Sequence, residues 1–225
     1  MARLPRSVVK RNELPTLGTI GPAPSLLYLC SGNLCRSVMA EAVTRQRAEL
    51  SGSTISVRSA GFLTDQQQPP PATITAMRRR GIDVGEHRSN LVSPSLLEDA
   101  DLVLAMAQLH LWEAALIDPT VIPRAFVLPE LVRLNREIGG RKPHEDFGDW
   151  TDRLHGARQL AITRDLSAED IPDPIGRRKK VHERVAERIE LLVLELADCA
   201  FDPAEVEHDT RWRQGRIVWR SDATE

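Results

Sequence analysis

Four short apolar runs are spaced along the chain, with helical patterns in most of the intervals between them. Leu26-Leu27-Tyr28-Leu29-Cys30 is continuous and not alternating, and is bounded by Pro24 and Gly32. Such a run suits a strand buried on both faces of a parallel sheet. Thr54–Ser59 alternates, with Ile55 and Val57 on one face, and predicts a half-buried strand. Leu102–Ala105 and Ala125–Leu128 are two further short strands. From Ser37 onward, Met39, Val43 and Leu50 fall on one side of a helix that stops before Gly52. Pro71–Arg80 opens on proline and closes at Gly81, as helices do. A helix carrying Leu109, Trp112 and Leu116 is expected between the last two strands. The clearest stripe is Val181, Val185, Ile189, Leu192, Leu196 and Cys199, one apolar face of a long final helix. Alternating strands and helices argue for an α/β fold with a mostly parallel sheet.

Residues 133–165 break this rhythm. They are charged, hold Gly139-Gly140 and Pro143, and read as an insertion with a helix around Asp149–Ala161. Residues 1–24 have no sustained periodicity and read as a loose N-terminal extension; residues 201–225 read as a C-terminal tail. One domain over 25–200 remains, and no internal repeat is evident.

Composition narrows the classes. The chain has 225 residues, 41% hydrophobic and 28% charged, with a net charge of −2. That is enough apolar material for one core, and the near-neutral balance gives no reason to expect nucleic acid. No run approaches the roughly 18 apolar residues of a membrane span. The first twenty residues lack an apolar core of the kind a secretory leader carries, so a cytoplasmic location is expected. Three cysteines cannot all pair, so in such a compartment they read as reactive or buried thiols and not as a disulfide framework. Cys199 lies on the helix stripe, and no histidine stands at ligand spacing from the other two, so neither a metal nor another cofactor is expected.

The chemistry concentrates in Cys30-Ser31-Gly32-Asn33-Leu34-Cys35-Arg36-Ser37, between a buried strand and a helix. A loop there turns successive backbone N–H groups toward one point beside the positive end of a helix dipole, which makes an anion site. Gly32 supplies a backbone free to take positive φ, and Asn33 is the next most tolerant residue. Arg36 adds a planar fork that can grip two phosphate oxygens. Cys30 lies at the bottom of the cradle, where amide dipoles and a guanidinium favour a thiolate nucleophile. The alternative is that Cys30 and Cys35 are small buried residues flanking an ordinary turn.

These residues resemble the low-molecular-weight protein tyrosine phosphatases. The likeness rests on LYLCSGNLCRSVMAEAV, then VRSAG at 57–61, GIDVGEHRSN at 81–90, DADLVLAM at 99–106 and IPDP at 171–174, in family order. With the strand pattern, it implies a flavodoxin-like three-layer α/β fold with a central four-stranded parallel sheet. It also implies a metal-independent cysteine phosphatase acting on phosphotyrosine proteins or small aryl phosphomonoesters. Cys30 would form a thiophosphoryl intermediate. Arg36 and the backbone of Ser31, Gly32, Asn33, Leu34, Cys35 and Arg36 would bind phosphate, and Asp173 would be the general acid. Asn33, Ser37, Ser59 and His87 would form a supporting network. Cys35 would pair with Cys30 under peroxide as a reversible shelter.

The chain departs from that pattern at its rim. Val38 replaces a proline, Ser31 a larger apolar residue, and Ile175-Gly176 stands where an aromatic pair usually follows the Asp-Pro. Phosphoarginine phosphatase is one alternative, against which Leu34 argues, being bulky and apolar where those enzymes carry a small polar residue. Arsenate reductases need further cysteines, and only Cys199 remains. Arg177–Lys180 reads as a solvated helix start, although beside Asp173 it could attract acidic phosphopeptides. The basic-aromatic stretch Arg211–Arg220 reads as a packing or partner segment. A regulatory module that binds phosphate or senses redox state, with little turnover, is the alternative from another class. Oligomeric state is left open.

Overall fold

β1 (Ser25–Cys30) runs through the centre of the computed structural model, which describes residues 23–142, 145–160 and 169–200. Its side chains alternate between two cores, Leu26, Tyr28 and Cys30 facing one and Leu27 and Leu29 the other. The unbroken apolar run thus reflects a strand covered on both faces. β1 pairs in parallel with β2 (Ser56–Gly61) and β3 (Leu102–Ala105), and β3 pairs in parallel with β4 (Ala125–Val127). The sheet order is β2-β1-β3-β4.

The helices among the described residues are α1 (Arg36–Ser51), α2 (Pro71–Arg78), α3 (Pro94–Glu98), α4 (Gln108–Ile117), α5 (Leu128–Ile138), α6 (Phe147–Leu160) and α7 (Lys179–Ala200), with a 3-10 turn at Pro119–Arg124. α1, α2, α5, α6 and α7 cover one face of the sheet; α3, α4 and the 3-10 turn cover the other. This is the expected flavodoxin-like three-layer arrangement. The chain leaves β1 for β2 on one side and later returns to β3 on the other. The order therefore reverses at the C-terminal ends of β1 and β3, where open α/β sheets hold their ligands.

Several element boundaries and faces differ from the sequence reading. β2 sits two residues later than expected, and α2 ends at Arg78. Leu128 opens α5 instead of closing β4. Leu50, expected on the buried side of α1, is exposed. On α4 the expected stripe of Leu109, Trp112 and Leu116 faces solvent, while His110, Leu111 and Ala114 are buried. Apolar residues stand on both sides of this helix, so periodicity alone cannot choose its inner face. On α7, Val193 and Ala200 reach full burial, and Cys199 is only half-buried.

Arg133 lies inside α5, whose Leu131, Val132 and Leu134 are buried. Trp150 on α6 is completely buried and donates from Nε1 to Asn135 Oδ1 at 3.1 Å. The described part of 133–165 is therefore built into the core. Residues 1–22, 143–144, 161–168 and 201–225, which include most of both terminal segments, lie outside the described residues.

Candidate active site

The chain leaves β1 at Cys30 and enters α1 at Arg36, so the loop lies at the switch point of the sheet. Its left-handed residue is Asn33, at φ +48°, and not Gly32. The Asn33 side chain is completely buried and fully used. Its Nδ2 donates to Ser37 Oγ (3.0 Å) and Ser59 Oγ (2.7 Å), and its Oδ1 accepts from the Asn90 amide (2.9 Å). His87 Nε2 lies 3.1 Å from the Asn33 carbonyl and 3.2 Å from Oδ1. Ser37 Oγ stands 3.0 Å from Cys30 Sγ. Because Asn33 already donates to that oxygen, the single Ser37 hydroxyl proton is left for the sulfur. A donor aimed at the sulfur is what a thiolate nucleophile requires.

Arg36 is buried and reaches across the mouth of the loop. Nη1 donates to the Ile171 carbonyl (3.1 Å), and Nη2 to Asp173 Oδ2 (2.6 Å) and Ser31 Oγ (3.1 Å). The segment bearing Asp173 is itself anchored. Ile171 N donates to the Met106 carbonyl beyond β3, and Asp170 accepts from the Gln108 amide at the start of α4. Loop, guanidinium and carboxyl therefore meet at one spot, although Arg36 and Asp173 stand 137 residues apart in sequence.

Cys35 is buried behind the loop, its Sγ 3.2 Å from Thr73 Oγ1. Burial pushes its thiol up to about 11, with Cys30 and Asp173 adding to the rise, while Thr73 and Arg36 oppose it. Thr73 also lies 3.0 Å from His182 Nδ1 on α7.

The structure adds residues that the sequence reading did not single out. Glu41 accepts a hydrogen bond from Ser59 and an ion pair from Arg45, extending the Asn33–Ser59 chain to a carboxylate. Its signal was the i,i+4 ladder Ser37–Glu41–Arg45 on α1. His110 Nε2 lies 3.0 Å from Ser31 Oγ, and its ring stacks on Phe62 at 6.1 Å. Burial and then Arg36 push His110 down to about 4, so it is neutral near pH 7. Nothing in the local pattern marked it. Gly61 is the third: a Cβ there would lie 2.6 Å from Asn33 N and 2.9 Å from the Ser31 carbonyl oxygen. Beyond it, the amides of Phe62 and Leu63 both donate to the Ser31 carbonyl, and Thr64 donates to that of Gly32.

The exposed rim is aliphatic, with Leu63 and Ile175 standing free. The described residues hold no cluster of three metal-ligating side chains and no helix long and apolar enough to cross a membrane.

A family model described as low molecular weight phosphotyrosine protein phosphatase matches residues 25–124. A probable low molecular weight protein-tyrosine-phosphatase EpsP of Ralstonia solanacearum is 35% identical over 126 residues, covering 56% of this chain and 84% of that one. The protein-arginine-phosphatase of Bacillus subtilis is 27% identical over 173 residues, covering 76% and 93%. Arsenate reductase 1 of Staphylococcus haemolyticus is 33% identical over 125 residues, covering 52% and 90%. Among solved structures, a YwlE mutant from Bacillus subtilis superposes with a TM-score of 0.60 at 25% identity, covering 78% and 97%.

Proposed function

The chain belongs to the low-molecular-weight protein-tyrosine-phosphatase family and is a cysteine-based phosphatase; on that premise we propose that Cys30 is its nucleophile and Asp173 its general acid. Cys30 Sγ attacks phosphorus in line, forming the S–P bond as the P–O bond to the leaving group breaks. Asp173 gives the leaving oxygen its proton, then takes one from the water that hydrolyses the thiophosphoryl enzyme. Arg36 and the amides of Ser31–Arg36 hold the equatorial oxygens and stabilise the charge of the transition state. The observation that carries this reading is the 2.6 Å contact between Arg36 and Asp173 over a loop in which Ser37 faces Cys30 Sγ at 3.0 Å. An incoming phosphate dianion competes with Asp173 for the same guanidinium, which leaves the carboxyl beside the ester oxygen.

Asn33, Ser37, Ser59 and His87 hold the loop in shape, with Glu41 at the far end of their chain. Phosphotyrosine proteins or small aryl phosphates are the substrates we favour. Leu34 puts a bulky apolar side chain at the loop and speaks against the phosphoarginine specificity that the Bacillus subtilis relative is named for. Arsenate reduction lacks its relay, since the remaining cysteine, Cys199, lies at the opposite end of α7 from His182, the α7 residue that reaches toward Cys35 through Thr73. We place the protein in the cytoplasm, where its free thiols suit a reducing medium. Under peroxide, Cys30 is oxidised to a sulfenic acid with loss of hydroxide. The Cys35 thiol then displaces water to give a Cys30–Cys35 disulfide that added thiol reverses.

Aryl phosphate hydrolysis in chelator tests the enzyme reading. Wild type turns over and Cys30→Ser does not; a reduced wild type without activity would favour the regulatory-module alternative. Asp173→Ala slows poor leaving groups most, and an equal effect across a leaving-group series would exclude it as the acid. Peptide mapping after peroxide checks the shelter: sulfonic Cys30 with no disulfide refutes it.

A further inference from the structure

We propose that Arg177, Arg178, Lys179 and Lys180 form a docking surface for the acidic flank of a phosphorylated peptide, and so select substrates with Asp or Glu beside the phosphorylated residue. This rests on the phosphatase reading of the Cys30–Arg36–Asp173 site. All four cations are exposed. None takes part in the ion pairs found among the described residues, although the neighbouring surface is densely paired. Arg79 and Arg80 both hold Glu183, and Arg80 also holds Glu190. The acids nearest in the chain are occupied as well: Asp173 by Arg36 and the Ile175 amide, Asp170 by the Gln108 amide. Among the described residues, no carboxylate is ion-paired with any of these four charges.

Local geometry fixes where they stand. Ile175 N donates to Asp173 Oδ1 at 3.0 Å, Gly176 takes φ +69°, and Arg177 N donates to the Pro174 carbonyl at 2.9 Å. That turn folds the basic run back beside the acid-bearing segment as it enters α7 at Lys179, with Val181 N bonded to the Arg178 carbonyl. An extended peptide advances about 3.3 Å per residue. A carboxylate a few residues from a phosphoryl group held by Arg36 therefore falls near the run.

The arrangement works against its own helix. The first turn of α7 carries lysines and no acid, whereas helix N-termini favour negative charge. Composition does not explain it either, since the chain's net charge is −2. Local choices that oppose their own element are expected at functional sites, and a ligand of opposite charge removes the conflict. Exposed charges of this kind act mainly through encounter rate, by about 10- to 1000-fold at low salt, and are screened within about 10 Å at 0.1 M.

The test uses the full chain and phosphotyrosyl peptides that differ only in acidic, neutral or basic flanks, with a small aryl phosphate as reference. In wild type at low ionic strength, kcat/KM for the acidic peptide should exceed that for the neutral one by about tenfold, and the ratio should collapse in high salt. In R177Q/R178Q/K179Q/K180Q the ratio should approach one, while the aryl phosphate rate stays within about twofold of wild type. An undiminished acidic preference in the variant, or none in wild type, overturns the proposal. If the aryl phosphate is not hydrolysed, it is the phosphatase reading that fails. Anisotropy with the same peptides on Cys30→Ser chains, with and without the four substitutions, then decides docking alone: acidic selectivity lost with the cations supports it, and uniform affinity overturns it. Cation-dependent binding to phosphatidylserine vesicles without peptide selectivity would assign the surface to membranes instead.

Discussion

Gly61 ends β2 directly beneath the Cys30–Arg36 loop, where any side chain would collide with the backbone of Ser31, Gly32 and Asn33. Backbone cannot yield as a flexible side chain can, so Gly61→Ala must displace the loop itself. The expected cost is about 1–3 kcal/mol of stability, typical of overpacking, together with a fall of at least about tenfold in kcat/KM if Cys30, the proposed nucleophile, is misplaced. Urea unfolding and steady-state kinetics on one preparation check both. Unchanged kinetics would mean that loop geometry does not depend on this contact. The sequence marked Gly32, inside the motif, as the permissive residue, yet the positive φ falls on Asn33 and the close approach on Gly61. A motif shows which residues adjoin a nucleophile in the chain, but not which strand end passes beneath it. The same limit hid His110, which touches Ser31 from 79 residues away. Cys30, Arg36, Asn33 and Ser37 were legible because one strand-loop-helix junction carries them all.

On α4, the side chains that give the helix its apolar appearance do not hold it in place. Leu116 is 86% exposed, so Leu116→Lys is expected to change stability by less than about 0.5 kcal/mol. Trp150 on α6 is the opposite case. It is buried completely, meets Phe147 edge-on at 5.1 Å and satisfies its own N–H on Asn135. Trp150→Ala is expected to cost about 3–5 kcal/mol, measured by chemical denaturation. A loss below about 1 kcal/mol would show instead that α6 is a detachable insertion. Such a detachable segment is what its charged sequence suggests, because Arg133, Arg136 and Glu137 on the outer side of α5 mask a buried stripe of Leu131, Val132 and Leu134. β1, β3 and β4 were legible because each is a compact apolar run, whereas β2, SVRSAG, was marked only by alternation and was placed two residues early. Helix faces were less so, since the inner side of a helix depends on which sheet surface the connection brings it to.

Across the whole molecule, three histidines from separate elements converge on the Cys30–Arg36 loop. His87 meets Asn33, His110 meets Ser31, and His182 meets Thr73, which in turn touches Cys35. In each the pKa lies below the ordinary 6.5, with burial the largest cause. The folded protein thus keeps all three neutral where the unfolded chain begins to protonate them. Above about pH 6.5 they give stability no pH dependence; as pH falls below it, the unfolded state binds more protons and stability declines. For His110 the loss runs from 6.5 down to about 4, and a shift of that size corresponds to about 3 kcal/mol. That is a large share of the roughly 5–15 kcal/mol that holds a domain folded. A second consequence falls on the site, because a protonated His110 would place a cation beside Arg36. Unfolding free energy measured from pH 7 to 4.5 should therefore drop in wild type and drop less steeply in His110→Gln, whatever the variant's stability at pH 7. The comparison of slopes isolates this histidine from the carboxylates that titrate in the same range. Parallel slopes would mean that His110 takes up its proton in the folded state as freely as in the unfolded one, and that the stacked pair it forms with Phe62 does not exclude charge.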